Sequence, residues 1–421
     1  MLARHDGLIV LVAGAIAGER VRARIERKTK NVIFARVEDV LTASAARRPG
    51  VVDPWCGGMD YAHIEYAEQL RCKSQVIADA LQRIGRITVP ADIAVAGSPE
   101  QGYRLRAKLH VAEGRAGFFR EGSHTLCDAT GTGQLRPESV PAVDRLLSGL
   151  GRRAKQVATV VVAENVPAAQ RVLHLEGQDG ASLDGLDIGG RGERGERSEW
   201  GGRGDWDDAH VTGVTALIHG RVTGLSGAAH LIDTASDMFG EDAPVPANTT
   251  WTRQAASFFQ ANRFLIGSLT RAVLEAVDGQ HIADLYAGVG LFAVALAARG
   301  HYVIAVEGDR VSGRDLAANA EPFGDRLRTV RTSVEEALRQ IAEERFGTIV
   351  LDPPRTGVSP AALDAVVSLR APRVVYVSCD PPTLARDSAR LVASGYNLAS
   401  LQAFDLFPNT AHVEAVAVWE R

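Results

Sequence analysis

Residues 281 to 297 read HIADLYAGVGLFAVALA, and the order of residue types in them decides the fold. Ile282, Ala283 and Leu285 are strand-like. Gly288 and Gly290 form a loop that can pass close to a ligand, and an apolar helical run begins near Leu291. Outward from this unit, helical periods starting at ASFFQANRFLIGSLTRAVLEAV alternate with the apolar segments YVIAVEGD, RLRTVRTS, FGTIVLDPP, RVVYVSC and EAVAVWER. Strand and helix alternating over residues 251–421 predict an α/β domain, a doubly wound, Rossmann-like parallel sheet with helices on both faces. Ligands of such sheets bind beyond the carboxyl ends of the strands, so the residues at those exits carry the functional question.

The first exit holds Asp284, Tyr286, Gly288 and Gly290. The second holds Glu307, which can accept hydrogen bonds from both hydroxyls of a ribose. Together they predict an adenosine-containing cofactor. They do not separate a dinucleotide from S-adenosylmethionine, because Gly288, Gly290 and Ala293 also satisfy the loose dinucleotide pattern. The fourth exit reads Asp352, Pro353, Pro354, Arg355, an acid and an arginine on a stiff loop where a planar substrate would be held beside the cofactor. The fifth exit is Cys379. A free thiol ionises near about 8.5, and helix N-termini around this exit are expected to raise its thiolate fraction. A buried filler, a metal ligand and a nucleophile all remain readings of Cys379 at this point. The last segment contributes His412 and Glu414, two apart and so on one face, with Val413, Ala415 and Ala417 on the other. An exposed acid is the plain reading of Glu414, and a base serving a cysteine nucleophile is the sharper one.

The chain has 421 residues, enough for two or three domains, and no window approaches the roughly 20 apolar residues a spanning helix requires. No membrane anchor is expected. The N-terminal apolar run is flanked by charges and lacks a small-residue cleavage site, which speaks against a secretion signal. Four cysteines in such a length suit a reducing compartment, the cytoplasm by default. The net charge of −4 advertises no polyanion partner. Locally, Arg20, Arg22 and Arg24 alternate with Val21, Ala23 and Ile25, describing a strand with one basic face. That face is either a solvated surface or a phosphate-tracking patch on a small barrel.

Residues 1–50 read as short strands of a small β-barrel. Residues 51–250 read as a helical connection, over 58–85 and ending at Gly85, followed by a mostly antiparallel central α+β domain. Within it, 187–208 is too rich in glycine and charge to pack and is expected to be an exposed loop.

In order, FFQANRF, DLYAGVG, LDPPRTG, VSCDPPTLARD and FPNTAHVEAV closely resemble the motifs of the RNA uracil-5 methyltransferases, and residues 1–50 resemble a TRAM domain lacking its first strand. The resemblance implies S-adenosylmethionine as cofactor and a uridine in ribosomal or transfer RNA as target. It implies a monomer, Cys379 as nucleophile on uracil carbon 6, and Glu414 as the base for the carbon 5 proton. Gln260 and Asp352 would line the cofactor and uracil pocket, while Tyr286, Gly288, Gly290 and Glu307 would hold the cofactor, whose sulfonium should further favour the thiolate. Many relatives carry a four-cysteine iron-sulfur site. Here the Cys-Gly-Gly-Cys run reads CGGM, ending in Met59, and only Cys56 and Cys127 match ligand positions, Cys72 lying elsewhere. Two thiolates cannot fill that shell, so no cluster and no metal are expected. A nicotinamide-dependent oxidoreductase would leave Asp352, Cys379 and Glu414 without work. A non-catalytic RNA-binding protein would not need Cys379 and Glu414.

Overall fold

The computed structural model describes residues 1–49, 53–90, 92–179, 183–186 and 211–421. At the N-terminus, β1 (Leu2–His5), β2 (Leu8–Ala13), β3 (Arg20–Lys28) and β4 (Val32–Thr42) form a sheet in the order β1-β2-β4-β3. Asp6 and Gly7, both at positive φ, make the tight turn joining β1 to β2. The basic face of β3 does form, with Arg20, Arg22 and Arg24 exposed. It is partly neutralised, since Arg22 pairs with Asp39 at 2.6 Å and Arg24 with Glu38 at 3.6 Å on β4.

The predicted helical connection is a single helix, α1 (Tyr66–Ala80), extended by a π-turn to Gly85, where Arg86 takes a left-handed conformation and stops it. It begins eight residues later than expected, because 58–65 is a run of turns. Nor does α1 belong to the central domain. Ile77 and Leu81 are buried in the core of the C-terminal sheet, and β5 (Val95–Ala96) joins that sheet as its last strand.

In the central domain, β6 (Arg106–Ala112), β7 (Arg115–Phe119), β8 (Leu126–Cys127), α2 (Ser139–Leu150), β9 (Val157–Glu164), β10 (Arg171–Gly177), β11 (Val211–Ile218) and β12 (Arg221–Gly227) form one unit. Its sheet runs β12-β11-β10-β9-β6-β7-β8 and is antiparallel except between β10 and β11. A parallel pair needs a long connection. The stretch 187–208, expected as an exposed loop, belongs to that connection and lies outside the described residues. Cys56 and Cys127 are joined in a disulfide here, so the cysteine count's case for a reducing compartment applies only to Cys72 and Cys379. Met59 is buried in the same core. Among the described residues no three His, Cys, Asp or Glu side chains converge as a metal site, and no helix is long and apolar enough to cross a membrane.

A two-stranded bridge of β13 (His230–Thr234) and β14 (Thr250–Gln254), with α3 (Ala235–Phe239) between them, leads into the C-terminal domain. There α4 (Ile266–Ala276), β15 (His281–Leu285), α5 (Leu291–Ala298), β16 (Tyr302–Val306), α6 (Ser312–Ala320) and β17 (Leu327–Val330) come first. They are followed by α7 (Val334–Gln340), β18 (Thr348–Leu351), α8 (Pro360–Ser368), β19 (Arg373–Ser378), α9 (Pro381–Ala393), β20 (Asn397–Phe404) and β21 (Glu414–Glu420). The sheet order is β17-β16-β15-β18-β19-β21-β20-β5. All six predicted strands are present. The reading omitted β20, whose sequence NLASLQAF is polar and mostly exposed and so lacks the apolar run that marks its neighbours.

Helices cover both faces, and side-chain alternation shows it. Val350 and Val375 belong to the core under α4 and α5, whereas Ile349, Leu351, Val374 and Tyr376 belong to the core under α1, α8 and α9. Trp251 of β14 is fully buried in the first core, and its indole N–H donates to the carbonyl of Gly290 at 3.2 Å, tying the bridge to the glycine turn. Trp251→Ala is expected to lower the unfolding free energy by about 3–5 kcal/mol in urea titrations followed by circular dichroism. Trp251→Phe removes the indole hydrogen bond while Gly290 O keeps the Val294 N–H at 3.0 Å, and should cost only about 1 kcal/mol beyond the small loss of packing.

Candidate active site

The chain leaves β15 through three left-handed residues in five, Tyr286 at φ +67, Gly288 at +58 and Gly290 at +93. Tyr286 is the costly one, since a bulky side chain is rare there, and such strain clusters at functional sites. A Cβ on Gly288 would meet nothing within 4 Å, so this glycine opens onto free space. At Gly290 a Cβ would lie 2.8 Å from Leu316, and the residue caps α5 from behind. Gly290 shapes the turn without lining the cavity described below.

Glu307, just past β16, is held by backbone donors. Gly288 N–H donates to one of its oxygens at 2.8 Å and Asp309 N–H to the other at 2.6 Å. A carboxylate has about four acceptor positions, so capacity remains for hydroxyl donors. Burial pushes its pKa up and the backbone donors offset part of this. At the end of β15, Asp284 is fully buried and neither oxygen reaches a hydrogen-bond partner, although the Ala293 N–H lies on its side. Burial, Asp352 and Glu307 drive its carboxyl well above the usual range.

Beyond β18, the Asp352 N–H donates to Leu285 O at 3.3 Å, and the Gln260 side-chain amide donates to the Asp352 carboxylate at 3.1 Å. Burial raises Asp352 to about 7 against the opposing effect of that amide. The segment bearing Gln260 is anchored from below by Ser257, whose hydroxyl donates to buried Asp315 at 2.5 Å.

Cys379 leaves β19 half-buried, and Asp380 caps α9 by accepting from Thr383 N–H at 2.9 Å. The two prolines that follow occupy the first turn of α9, where no N–H is needed and the ring pre-sets the backbone. Glu414 opens β21 and is only 3 % exposed, so the plain reading of a surface acid does not hold. His412 stays outside at the rim, neutral, accepting from Arg355 at 3.2 Å and driven down to about 4 by burial and by that guanidinium. Burial, and then Asp352, lift the Glu414 carboxyl well above its usual range.

These side chains meet in one cavity of about 660 Å³, within the range typical of small-molecule sites. Gln260, Tyr286, Gly288, Glu307, Asp352, Cys379 and Glu414 all line it. Its electrostatics correct one expectation. Burial, Glu414 and Asp352 push the Cys379 thiol up to about 11, against a smaller opposing pull from Arg355. The helix termini alone do not make a thiolate here.

Among the lining residues that escaped the sequence reading as site members are Arg106, Phe258 and Phe407. Phe258 and Phe407 lie inside quoted motifs and could have been named from them. Arg106 comes from β6 of the central domain and is pinned by donating to Ala255 O at 2.9 Å, a position that depends on how two domains dock.

Comparison with known proteins agrees with this geometry. A model of the tRNA (uracil-5-)-methyltransferase family matches residues 227–421. The 23S rRNA (uracil(1939)-C(5))-methyltransferase RlmD of Aromatoleum aromaticum is 31% identical over 100% of this chain and 96% of its own length. An uncharacterised RNA methyltransferase of Thermosynechococcus vestitus is 30% identical over 99% of this chain and 94% of its own. The crystal structure of Pyrococcus abyssi tRNA (uracil-54, C5)-methyltransferase in complex with S-adenosyl-L-homocysteine superposes with a TM-score of 0.71, covering 99% of this chain and 96% of that one at 22% identity, a likeness of fold. With relatives aligned along its whole length, the chain belongs to the RNA (uracil-5-)-methyltransferase family.

Proposed function

We propose that this enzyme transfers a methyl group from S-adenosylmethionine to carbon 5 of a uridine in ribosomal or transfer RNA, with Cys379 as nucleophile and Glu414 as base. The observation that carries the reading is the convergence of Cys379, Glu414 and Asp352 on one cavity with Glu307 and the open Gly288 turn. Glu307, Gly288 and Tyr286 would hold the cofactor, and the unpartnered acid Asp284 behind them makes the region favourable to a cation. When bound, the cofactor supplies the electrophilic methyl group that carbon 5 then carries.

The chain's own residues do the rest. Carbon 5 of uracil is a poor nucleophile until carbon 6 is attacked. The Cys379 sulfur adds to carbon 6, and the ring electrons become an enolate with density at carbon 5. The thiol, which burial, Glu414 and Asp352 raise to about 11, must first lose its proton, and Asp352 is the acceptor that leaves Glu414 free for its later step. After methylation Glu414 takes the carbon 5 proton, those electrons reform the double bond, and the carbon 6 to sulfur bond breaks. Gln260 and Asp352 form a hydrogen-bonded edge for the base. Because the ring is attacked on its face, the uridine must be unpaired or flipped out. The partner is RNA, met by a monomer in the cytoplasm, with the N-terminal TRAM-like sheet and the central domain gripping the surrounding strand.

Full-length protein incubated with labelled S-adenosylmethionine and unmodified 23S rRNA or tRNA transcripts should yield 5-methyluridine, and Cys379→Ala should lower kcat by at least about 1,000-fold. RNA carrying 5-fluorouridine should trap a covalent adduct, since no carbon 5 proton remains to be removed. Methylation by the Cys379→Ala protein at the wild-type rate would end the proposal. Glu414→Gln leaves the burial of the thiol and the Asp352 charge but removes the larger of the two charges that raise it, so the pH profile of Cys379 alkylation by iodoacetamide, mapped by mass spectrometry, should move to lower pH.

A further inference from the structure

Glu414 is preceded by the connection 405–413, which crosses from β20 to β21 and carries Phe407 into the catalytic cavity. Most of the hydrogen bonds that reach this connection from other segments come from residues 60–96, far earlier in the chain, while Leu406 and Val413 are buried in the cores of the C-terminal sheet and Arg355 donates to His412. Lys73 of α1, completely buried, donates to the Asp405 carboxylate and to Phe407 O at 3.1 Å. Gln69, one turn earlier on the same helix face, makes a two-way amide contact with Asn409. Its amide donates to Asn409 Oδ1 at 3.0 Å, and its oxygen accepts from Asn409 N–H at 2.9 Å. Asn409 itself sits at φ +65, a conformation that needs support. Tyr61 N–H donates to Asn409 O at 2.7 Å and Ala411 N–H donates to Asp60 at 3.1 Å. From the C-terminal domain, Asn262 donates to Leu406 O at 3.2 Å.

We infer that Gln69 and Lys73 are positioning residues for the methyl transfer: through the 405–413 connection they set where Phe407 and Glu414 stand in the cavity. The inference rests on the reading of Glu414 as base. A buried lysine and a buried glutamine on one helix face are expensive to keep dry unless every polar atom is used. Here Lys73 is spent on a single nine-residue connection that leads to the base, and Gln69 makes two of its three hydrogen bonds there, the third going to Ile64 O at 2.9 Å. Helix packing alone would be served as well by leucines.

Adduct formation uses Cys379, whereas adduct breakdown uses Glu414, so misplacement of the base has its own signature. Full-length Gln69→Leu and Lys73→Met proteins, assayed on unmodified 23S rRNA and tRNA transcripts, should lose about 10- to 100-fold in kcat. Their KM for RNA should stay within about threefold of wild type. A methylated protein–RNA adduct should accumulate on ordinary uridine, while adduct formation on 5-fluorouridine RNA keeps its wild-type rate. If Lys73→Met does not fold, Asn409→Gly carries the same test, because glycine accepts the positive φ and only the side-chain contact with Gln69 is lost. Unchanged kcat in these variants, or adduct formation on 5-fluorouridine RNA slowed as much as turnover, would overturn the inference. A wild-type protein that forms no adduct on 5-fluorouridine RNA would instead overturn the reading of Cys379 and Glu414, whatever α1 does.

Discussion

A strand that runs antiparallel beside its neighbour begins where the neighbour ends, and the catalytic rim depends on this one reversal. β21 pairs antiparallel with β19, with Ser378 opposite Ala415, so Cys379 and Glu414 stand at the same end of one ladder. Had β21 run parallel like the strands before it, its first residue would have opened at the opposite edge of the sheet, far from every other exit. The reversal also dictates the neighbouring architecture. β20 runs up to the same rim, and the chain must turn there, over the cavity, before it can descend as β21. The connection that makes this turn is thereby placed on top of the site and has to be held from elsewhere.

Concentrating strand exits at one rim also concentrates acids. Asp284, Asp352 and Glu414 all have their carboxyls lifted, with burial the largest cause in each, and the nearest countercharge, Arg355, is itself exposed. Burial disfavours the ionised form of each, and Asp352 adds to the shift at Asp284 and Glu414, so a cationic guest would relieve the site. The same field explains why Cys379 rests as a thiol. Sequence reasoning from helix termini treats the thiol as alone and in water, whereas the fold buries it beside Glu414 and Asp352, and burial first and these carboxylates second push it up.

What was legible follows from locality. Strand and turn signals act over a few residues, so the six apolar strands and the glycine turn could be read directly, and the residues at the strand exits came with them. β20 was missed because an exposed, polar strand has no periodic apolar signal. Glu414 read as either a surface acid or a base because its burial comes from β20 and from the 405–413 connection, which its own segment does not encode. The packing of α1 on the C-terminal sheet, the arrival of Arg106 in the cavity and the pairing of Cys56 with Cys127 are all contacts between distant segments. Each joins side chains that are individually unremarkable in sequence, and only the docking of domains brings them together.

The segment 53–64 shows how far such docking reaches. It contains neither helix nor strand, yet it touches the N-terminal sheet, the central sheet and the 405–413 connection. The Arg36 guanidinium from the N-terminal sheet lies 3.9 Å over the Trp55 ring, Cys56 is bonded to Cys127 of the central sheet, and Tyr61 and Asp60 meet the connection above the catalytic cavity. Backbone without regular structure must satisfy its polar groups against its neighbours. Here the neighbours are the N-terminal sheet, the central sheet and the connection that leads to Glu414. Linking them through short turns, with a covalent bond and a cation–π contact as anchors, leaves little room for one sheet to shift without the others. The N-terminal and central domains are therefore part of the frame in which Glu414 is held.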